Sequence, residues 1–379
     1  MKKTAIAGIL AATLAGAVHA QSNVTVYGVL DTGVVSASNS GTANGQFTGV
    51  VSGIHGASHI GFRSTEKIDN KLTVGVKIES DINVANGTQG LASGSGSANA
   101  VFARGSNVFL QHTDLGTVTI GRQDNAAWST YSSLDSRRHS NFGGNPVFLS
   151  DGSSFGGTAT SKTGLSKYTG GPFVSQAIRY DTPTFGGFSA TYARMFGNVA
   201  GDMDASAADQ VVLRYDNKGM VFGAVGYYNT NASTGTSQGR NDYAGVGIRA
   251  TKDLTLLTNY WKMEDPNGAG AANTKFDLYS VGARYQINPK LEATVGFYRL
   301  EDKINSNNGA DRQSAGLAYS LSKRTTLMAM ASYAQNKGTT GFAAWGGGGS
   351  NANTLGNSFG LNAAGIDQKA YAVAIRHSF

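Results

Sequence analysis

Leu72-Thr73-Val74-Gly75-Val76-Lys77-Ile78-Glu79 alternates between large apolar residues and small or polar ones. Successive side chains of an extended strand point to opposite faces. Leu72, Val74, Val76 and Ile78 therefore share one face, while Thr73, Gly75, Lys77 and Glu79 share the other. The same period of two runs from Phe276 to Ile287. There Tyr279, Val281, Ala283, Tyr285 and Ile287 oppose Ser280, Gly282, Arg284 and Gln286. It ends the chain as Tyr371, Val373, Ile375, His377 and Phe379 against Ala370, Ala372, Ala374 and Arg376.

Sixteen segments carry this strand pattern. They lie near 24–36, 58–66, 72–82, 102–113, 117–123, 176–182, 188–197, 208–215, 220–229, 241–251, 254–263, 275–287, 291–301, 312–321, 324–335 and 368–379. Ten residues at ~3.3 Å each, tilted ~45°, cover roughly 23 Å, close to the ~25 Å apolar band of an outer-membrane barrel. Short connections such as Asp114-Leu115-Gly116, Lys252-Asp253 and Ser322-Lys323 alternate with long Gly/Ser/Asn/Ala-rich ones at 37–57, 83–101, 124–175, 230–240 and 336–367. Tight turns at one rim and long loops at the other describe an antiparallel up-and-down barrel. Arg179, Arg214, Arg249 and Arg284 recur every 35 residues, and Tyr319 continues the interval. A period near 34 also suits helical repeats. The period-two alternation and the interior glycines favour one hairpin per repeat instead.

Composition agrees. The 379 residues include 52 glycines, about twice the usual ~7% share, with no collagen period. A mostly helical fold is disfavoured, since an interior glycine costs a helix ~1 kcal/mol relative to alanine. With no cysteine there is no disulfide framework, thiolate metal site or cysteine nucleophile. Residues 1–20 read as a secretory signal: Lys2 and Lys3, an apolar stretch from Thr4 to Ala17, and the cleavage site Val18-His19-Ala20. The apolar run is shorter than the ~20 residues of a spanning helix. Cleavage would remove two lysines and lower the formal charge of +7 by two. The mature chain, 21–379, is then expected to be one barrel domain.

Sixteen strands enclose a lumen too wide for side chains to fill, so water occupies it and the polar faces must line it. The apolar faces then meet lipid, and closure pairs every backbone group, as hydrocarbon surroundings demand. Aromatics near strand ends (Tyr180, Phe188, Tyr215, Tyr285, Tyr371, Phe379) fit interfacial girdles. The competing reading, a secreted soluble β-protein, would need buried-type apolar runs that are scarce here.

The start Val24-Thr25-Val26-Tyr27-Gly28-Val29-Leu30-Asp31, the string Gly116-Thr117-Val118-Thr119-Ile120-Gly121-Arg122-Gln123, the Arg-Tyr-Asp strands and the terminal Phe379 together resemble the general porins of Gram-negative beta-proteobacteria. The resemblance covers essentially the whole mature chain. It implies a homotrimer of sixteen-stranded barrels in the outer membrane that passes small hydrophilic solutes and ions by diffusion. It implies a third long loop folded into the barrel, which by position is 124–175. It also implies that the terminal aromatic, with Tyr371, Val373 and Ile375 on its face, is read by the outer-membrane assembly machinery.

The expected third loop holds Asp124, Asp135, Arg137, Arg138, His139 and Asp151, with Lys162 and Lys167 further on. An outward-facing loop with merely solvated charges is the alternative. Parity places Arg63, Arg179, Arg214, Arg249, Arg284 and Arg376 on the lumen wall, with Lys77 and Glu79 nearby. The resemblance adds His59, Glu79, Arg104 and Arg179 as constriction charges; His59 departs from the arginine usual there. Imidazole has a reference pKa of ~6.5, which weakens the expected anion preference. Arg122 is ambiguous, since strict alternation puts it with Val118 and Ile120 unless a bulge intervenes. Opposed charges across a narrow water gap orient polar solutes, and ring charge sets ion preference. Basic loops also suit lipopolysaccharide phosphates.

No phosphate-binding loop, dinucleotide fingerprint, His-Glu-x-x-His or Gly-x-Ser-x-Gly string occurs, and the six histidines lack ligand spacing. No cofactor, metal or nucleic acid is expected. The expected activity is weakly anion-selective passive diffusion. The alternatives are a sugar- or organic-anion-specific channel, with Trp128 and Tyr131 lining the path, and an outer-membrane hydrolase.

Overall fold

The computed structural model describes residues 23–40, 45–89, 101–144, 171–231, 237–265, 274–338, 340–345 and 365–379. The expected signal segment, Asp151, Lys162 and Lys167 lie outside these residues. The chain forms strands β1 (Asn23–Ser40), β2 (Gly45–Ser52), β3 (His59–Lys67), β4 (Leu72–Asp81), β5 (Gly105–His112) and β6 (Gly116–Asp124). Helix α1 (Ala126–Leu134) follows. Then come β7 (Phe173–Asp181), β8 (Phe188–Met195), β9 (Ala208–Asp216), β10 (Val221–Asn231), β11 (Ser237–Arg249) and β12 (Leu254–Asp265). The last are β13 (Thr274–Asn288), β14 (Leu291–Asp302), β15 (Gly309–Ser320), β16 (Thr325–Lys337) and β17 (Gln368–Ser378).

Each strand pairs antiparallel with its chain neighbour from β3 to β17, and β17 returns to β1 with Val29 opposite Ser378 and Ala37 opposite Ala370. The sheet therefore closes on itself. The sequence pattern leads to sixteen strands and assigns 37–57 to a loop; the described residues form seventeen, with β2 inside that stretch. β2 pairs with the upper half of β1 (Thr32 opposite Ser52) and β3 with the lower half (Val29 opposite His59). β2 and β3 thus run in one direction along one edge of β1, separated by residues 53–58. They are two halves of one interrupted wall position, and the barrel has sixteen. In β2 the inward positions carry Phe47 and Val51 while Gln46 and Thr48 face outward with Val50, so the apolar-out alternation that marks the other strands is missing.

The sidedness follows the parity argument. Val281 is 55% exposed and Ile375 43% on the outer face. Arg214 and Arg284 point inward, where they contact the third loop. Phe188, Tyr285, Tyr371 and Phe379 are exposed near strand ends. One part of the inner face breaks the pattern. Tyr243, Trp261, Met263, Phe276, Leu278 and Tyr298, all on β11 to β14, are buried inside the barrel against α1. A water-facing wall would not carry them; a wall covered by the loop does.

Candidate functional site: the lumen at the third loop

Helix α1 begins the third loop and is held against the wall at both ends. Asn125 caps its N-terminus: Asn125 Oδ1 accepts from the Ala127 N–H and from Gln210 Nε2 at 2.7 Å, while Gln210 Oε1 accepts from the Ala126 N–H at 3.0 Å. Arg214 donates to Thr130 Oγ1 and to the Ala126 carbonyl. Tyr131 is fully buried, its ring 3.7 Å from that of Trp261 and 4.3 Å from that of Tyr243. At the other end Arg284 donates to the carbonyls of Ser133 at 2.8 Å, Ser132 at 3.3 Å and Asp135. A cation on the free carbonyls of a helix C-terminus is favoured by both hydrogen bonding and the helix dipole.

Beyond α1 the chain crosses the inner wall. Tyr298 donates from its hydroxyl to Asp135 Oδ1 at 2.6 Å, and the His139 N–H donates to Asp135 Oδ2 at 2.7 Å. Arg137 lies flat on the wall, bonded to Thr294 Oγ1 and the Phe142 carbonyl. Burial lowers the Arg137 pKa from its ordinary value, while the hydrogen bond with Glu292 raises that of Arg138. Arg138 engages Glu292 through both guanidinium nitrogens, one pair at 2.8 Å. Ser314 Oγ donates to the Gly143 carbonyl at 2.6 Å, and Arg312 donates to that of Gly144. Asn141 reaches the break between β2 and β3, where Nδ2 donates to the Gly53 carbonyl at 2.7 Å. From β9 round to β2, residues 125–144 hug one side of the lumen.

The facing wall carries a charge cluster. Glu79 is 3% exposed, with Arg104 Nε at 2.6 Å, Lys77 Nζ at 3.2 Å and the Tyr27 hydroxyl at 2.8 Å. Arg104 also pairs with Asp81 at 3.0 Å, and Lys77 with Asp124 at 3.6 Å. Arg179 binds Asp181 at 2.8 Å through two nitrogens and the Asp124 carbonyl at 3.2 Å. His59 Nδ1 lies 2.9 Å from the Ala57 carbonyl oxygen. Arg63 is exposed over the Phe109 ring and forms no ion pair among the described residues.

His59, Lys77, Glu79, Arg104 and Arg179 gather on β3, β4, β7 and the turn before β5. Asp124 ends β6 and belongs to the wall, not the loop. Arg122 is taken up by the Ala103 carbonyl, Ser175 Oγ and the Phe173 ring. A register shift between β6 and β7 lies beside it. Arg214 and Arg284 hold the loop. Arg249 pairs with Asp216 at 2.8 Å beside a tight turn, away from the narrowing. Arg376 pairs with the fully buried Asp31 at 3.2 Å. Asp135 and Arg137 are buried anchors and not lumen charges, and the burial of Tyr131 removes it from any sugar path. Parity alone also marks Asp31 and Asp81 as inward carboxylates. Gln210 and Glu292 are inward by the same parity, and their part in holding the loop comes only from contacts distant in sequence.

Between the loop and β14–β17 lies a cavity of about 350 Å³, open toward the short-turn rim. Arg138, Lys290, Arg376 and His55 line it with Glu292, over a floor of Met328 and Met330. A closed barrel with a lipid-compatible exterior and a charged lumen narrowed by one of its own loops defines a membrane-spanning channel. The Gram-negative porin family model matches residues 5–339, and the chain belongs to that family. It is an outer-membrane β-barrel channel and not an enzyme. An outer membrane porin protein of Bordetella pertussis is 27% identical, with 89% of this chain and 95% of that protein covered. Outer membrane porin protein 32 of Delftia acidovorans is 26% identical over the full length of both. Among solved structures, the anion-selective porin from Comamonas acidovorans superposes with a TM-score of 0.75 at 22% identity, covering 95% of this chain and 100% of that one. The trimer form of OmpT from Vibrio cholerae gives 0.61 at 16%, covering 94% and 99%. At these identities the two structures speak for the fold.

Proposed function

We propose that this porin passes small hydrophilic solutes and ions by passive diffusion with a modest preference for anions, and that it does so as a homotrimer. One observation carries the preference: the carboxylates at the narrowing are consumed by pairing, while Arg63 stands in the lumen with no carboxylate partner among the described residues. In the cavity beneath the loop Glu292 pairs with Arg138 and Asp31 with Arg376, which leaves Lys290 and the buried Arg137 without a carboxylate partner among the described residues. Ring charge of this sign concentrates anions and repels cations. The descriptions of the Comamonas and Vibrio proteins support anion preference and trimerisation respectively.

Two partner classes follow. The outward face of Tyr371, Val373, Ile375 and Phe379 suits the outer-membrane assembly machinery. On the outer face near the long-loop rim, Lys369 has no ion pair among the described residues, and it suits lipopolysaccharide phosphates better than Arg240 and Arg299, which pair with Asp242 and Asp311. The test of the main reading is the reversal potential of single channels in a salt gradient. An anion-selective sign is expected; a cation-selective sign refutes the preference. Current closing in three equal steps is expected of the trimer.

A further inference from the structure

We infer that Asp31 is a positioning residue for the narrowing: it holds the break between β2 and β3, and that break holds the far end of the third loop. Asp31 lies on β1 with no exposed surface. Its carboxylate accepts from three successive backbone N–H groups. Ile54 donates to Oδ1 at 2.9 Å, His55 to both oxygens at 3.2 Å, and Gly56 to Oδ2 at 3.1 Å. Arg376 adds a charge-assisted contact from β17 at 3.2 Å. The backbone of Asp31 completes the grip. Its carbonyl accepts from the Gly53 N–H at 2.6 Å and from Ser58 Oγ at 3.0 Å, and its own N–H donates to Ser58 Oγ at 2.8 Å. One residue thus satisfies most of the donors that a broken strand exposes, which is the physical requirement for interrupting a barrel wall in a membrane.

The segment so held has its carbonyls turned to the loop. Asn141 Nδ2 donates to the Gly53 carbonyl at 2.7 Å, and the Asn141 N–H donates to that of His55 at 3.0 Å. Ile54 and Phe142, each at most 1% exposed, share one apolar cluster with Met328 and Met330. Gly53 takes φ +73°, a left-handed conformation that lets the wall turn out of register there. The path from Asp31 to Asn141 is therefore two hydrogen-bonded steps through buried groups. It starts where β1 meets β17, so the loop's far end docks on a platform that exists only once the barrel has closed.

The test uses the full-length refolded porin and two single variants, Asp31→Asn and Asn141→Ala, with their double. Asp31→Asn places an NH2 where the Gly56 N–H and Arg376 both donate, and Asn141→Ala removes the contact to Gly53 while leaving the break intact. Each variant that retains the folded barrel's heat-dependent gel mobility is expected to show roughly 1.5-fold higher single-channel conductance and added open-state noise, because the loop's far end is released from the wall. The double variant is expected to match the larger single effect, since both act on one chain of contacts. A folded variant with unchanged conductance and noise overturns the inference, as does a double effect equal to the product of the singles. If Asp31→Asn fails to fold, Asn141→Ala alone decides: an unchanged channel refutes, a wider and noisier one supports.

Discussion

Gly316 leaves the space that the Arg137 guanidinium fills: a Cβ built on Gly316 would overlap Arg137 Nη1. The glycine is on β15 and the arginine on the third loop, so the absence of a side chain on the wall lets a buried cation lie flat against it. Arg137 sits 6% exposed, bonded to Thr294 Oγ1 and the Phe142 carbonyl. Gly316→Ala is expected to push the guanidinium and residues 136–138 toward the pore axis. Overpacking of this kind costs about 1–3 kcal/mol. The measurable outcomes are a lower melting temperature and a conductance below that of the parent channel. Unchanged conductance would mean that the loop absorbs the methyl group by sliding along the wall.

Arg284 is expected to act on the loop rather than on permeating ions. It donates to carbonyls at the C-terminus of α1, so its removal strands those acceptors and takes away a favourable charge at the helix end. Arg284→Ala should cost about 1–2 kcal/mol of loop docking. Arg284→Lys should recover part of it, because an ammonium cannot span the same fan of carbonyls. Limited proteolysis of the refolded protein reads this directly: cleavage near residues 135–144 should appear in the alanine variant while the barrel stays intact. Protection equal to the parent's would return Arg284 to the role of a lumen charge.

Glu79→Gln tests the electrostatics of the facing wall. The Glu79 carboxylate neutralises parts of Arg104 and Lys77 at once. With it gone, Asp81 still pairs with Arg104 and Asp124 with Lys77, yet the wall gains one positive charge overall. The ratio of anion to cation permeability is expected to rise about twofold at low salt. The gain should shrink as the Debye length falls from ~10 Å at 0.1 M toward ~3 Å at 1 M. A salt-independent change would point to altered pore width instead of field.

The fold was legible because a barrel in a membrane writes its sidedness on every strand. Val281 and Arg284, three residues apart on β13, fall on opposite faces, as parity requires. Parity says which face a residue takes but not what stands in front of it. Arg214, Arg284 and Arg63 read alike in sequence; the first two meet the third loop and only the last meets open water. The route of residues 125–144 is set by contacts between distant parts of the chain, such as Ala126 with Gln210, 84 positions apart, and Gly143 with Ser314, 171 apart. No local pattern carries these. A trace was nevertheless present: Trp261, Phe276 and Leu278 are apolar at inward positions, which in a water-filled barrel marks the wall that a loop covers.

The seam where the barrel closes gives the last expectation. The Phe379 N–H donates to the Gly28 carbonyl at 3.0 Å, and the Gly28 N–H donates back at 3.2 Å. A Cβ on Gly28 would come within 2.5 Å of Phe379 Cζ, so the terminal ring lies over the glycine. Phe379→Ala keeps the backbone pair and loses the ring, and is expected to lower the stability of the detergent-refolded barrel by about 1–3 kcal/mol. Gly28→Ala should destabilise as well, by overlap with the ring and with the His59 carbonyl oxygen. The two changes should partly compensate when combined, because removing the ring clears half of that overlap. Refolding yields in detergent, where no assembly machinery is present, isolate this packing effect. A Phe379→Ala protein that refolds like the parent in detergent but is depleted from cellular outer membranes would assign the aromatic residue to recognition rather than to closure.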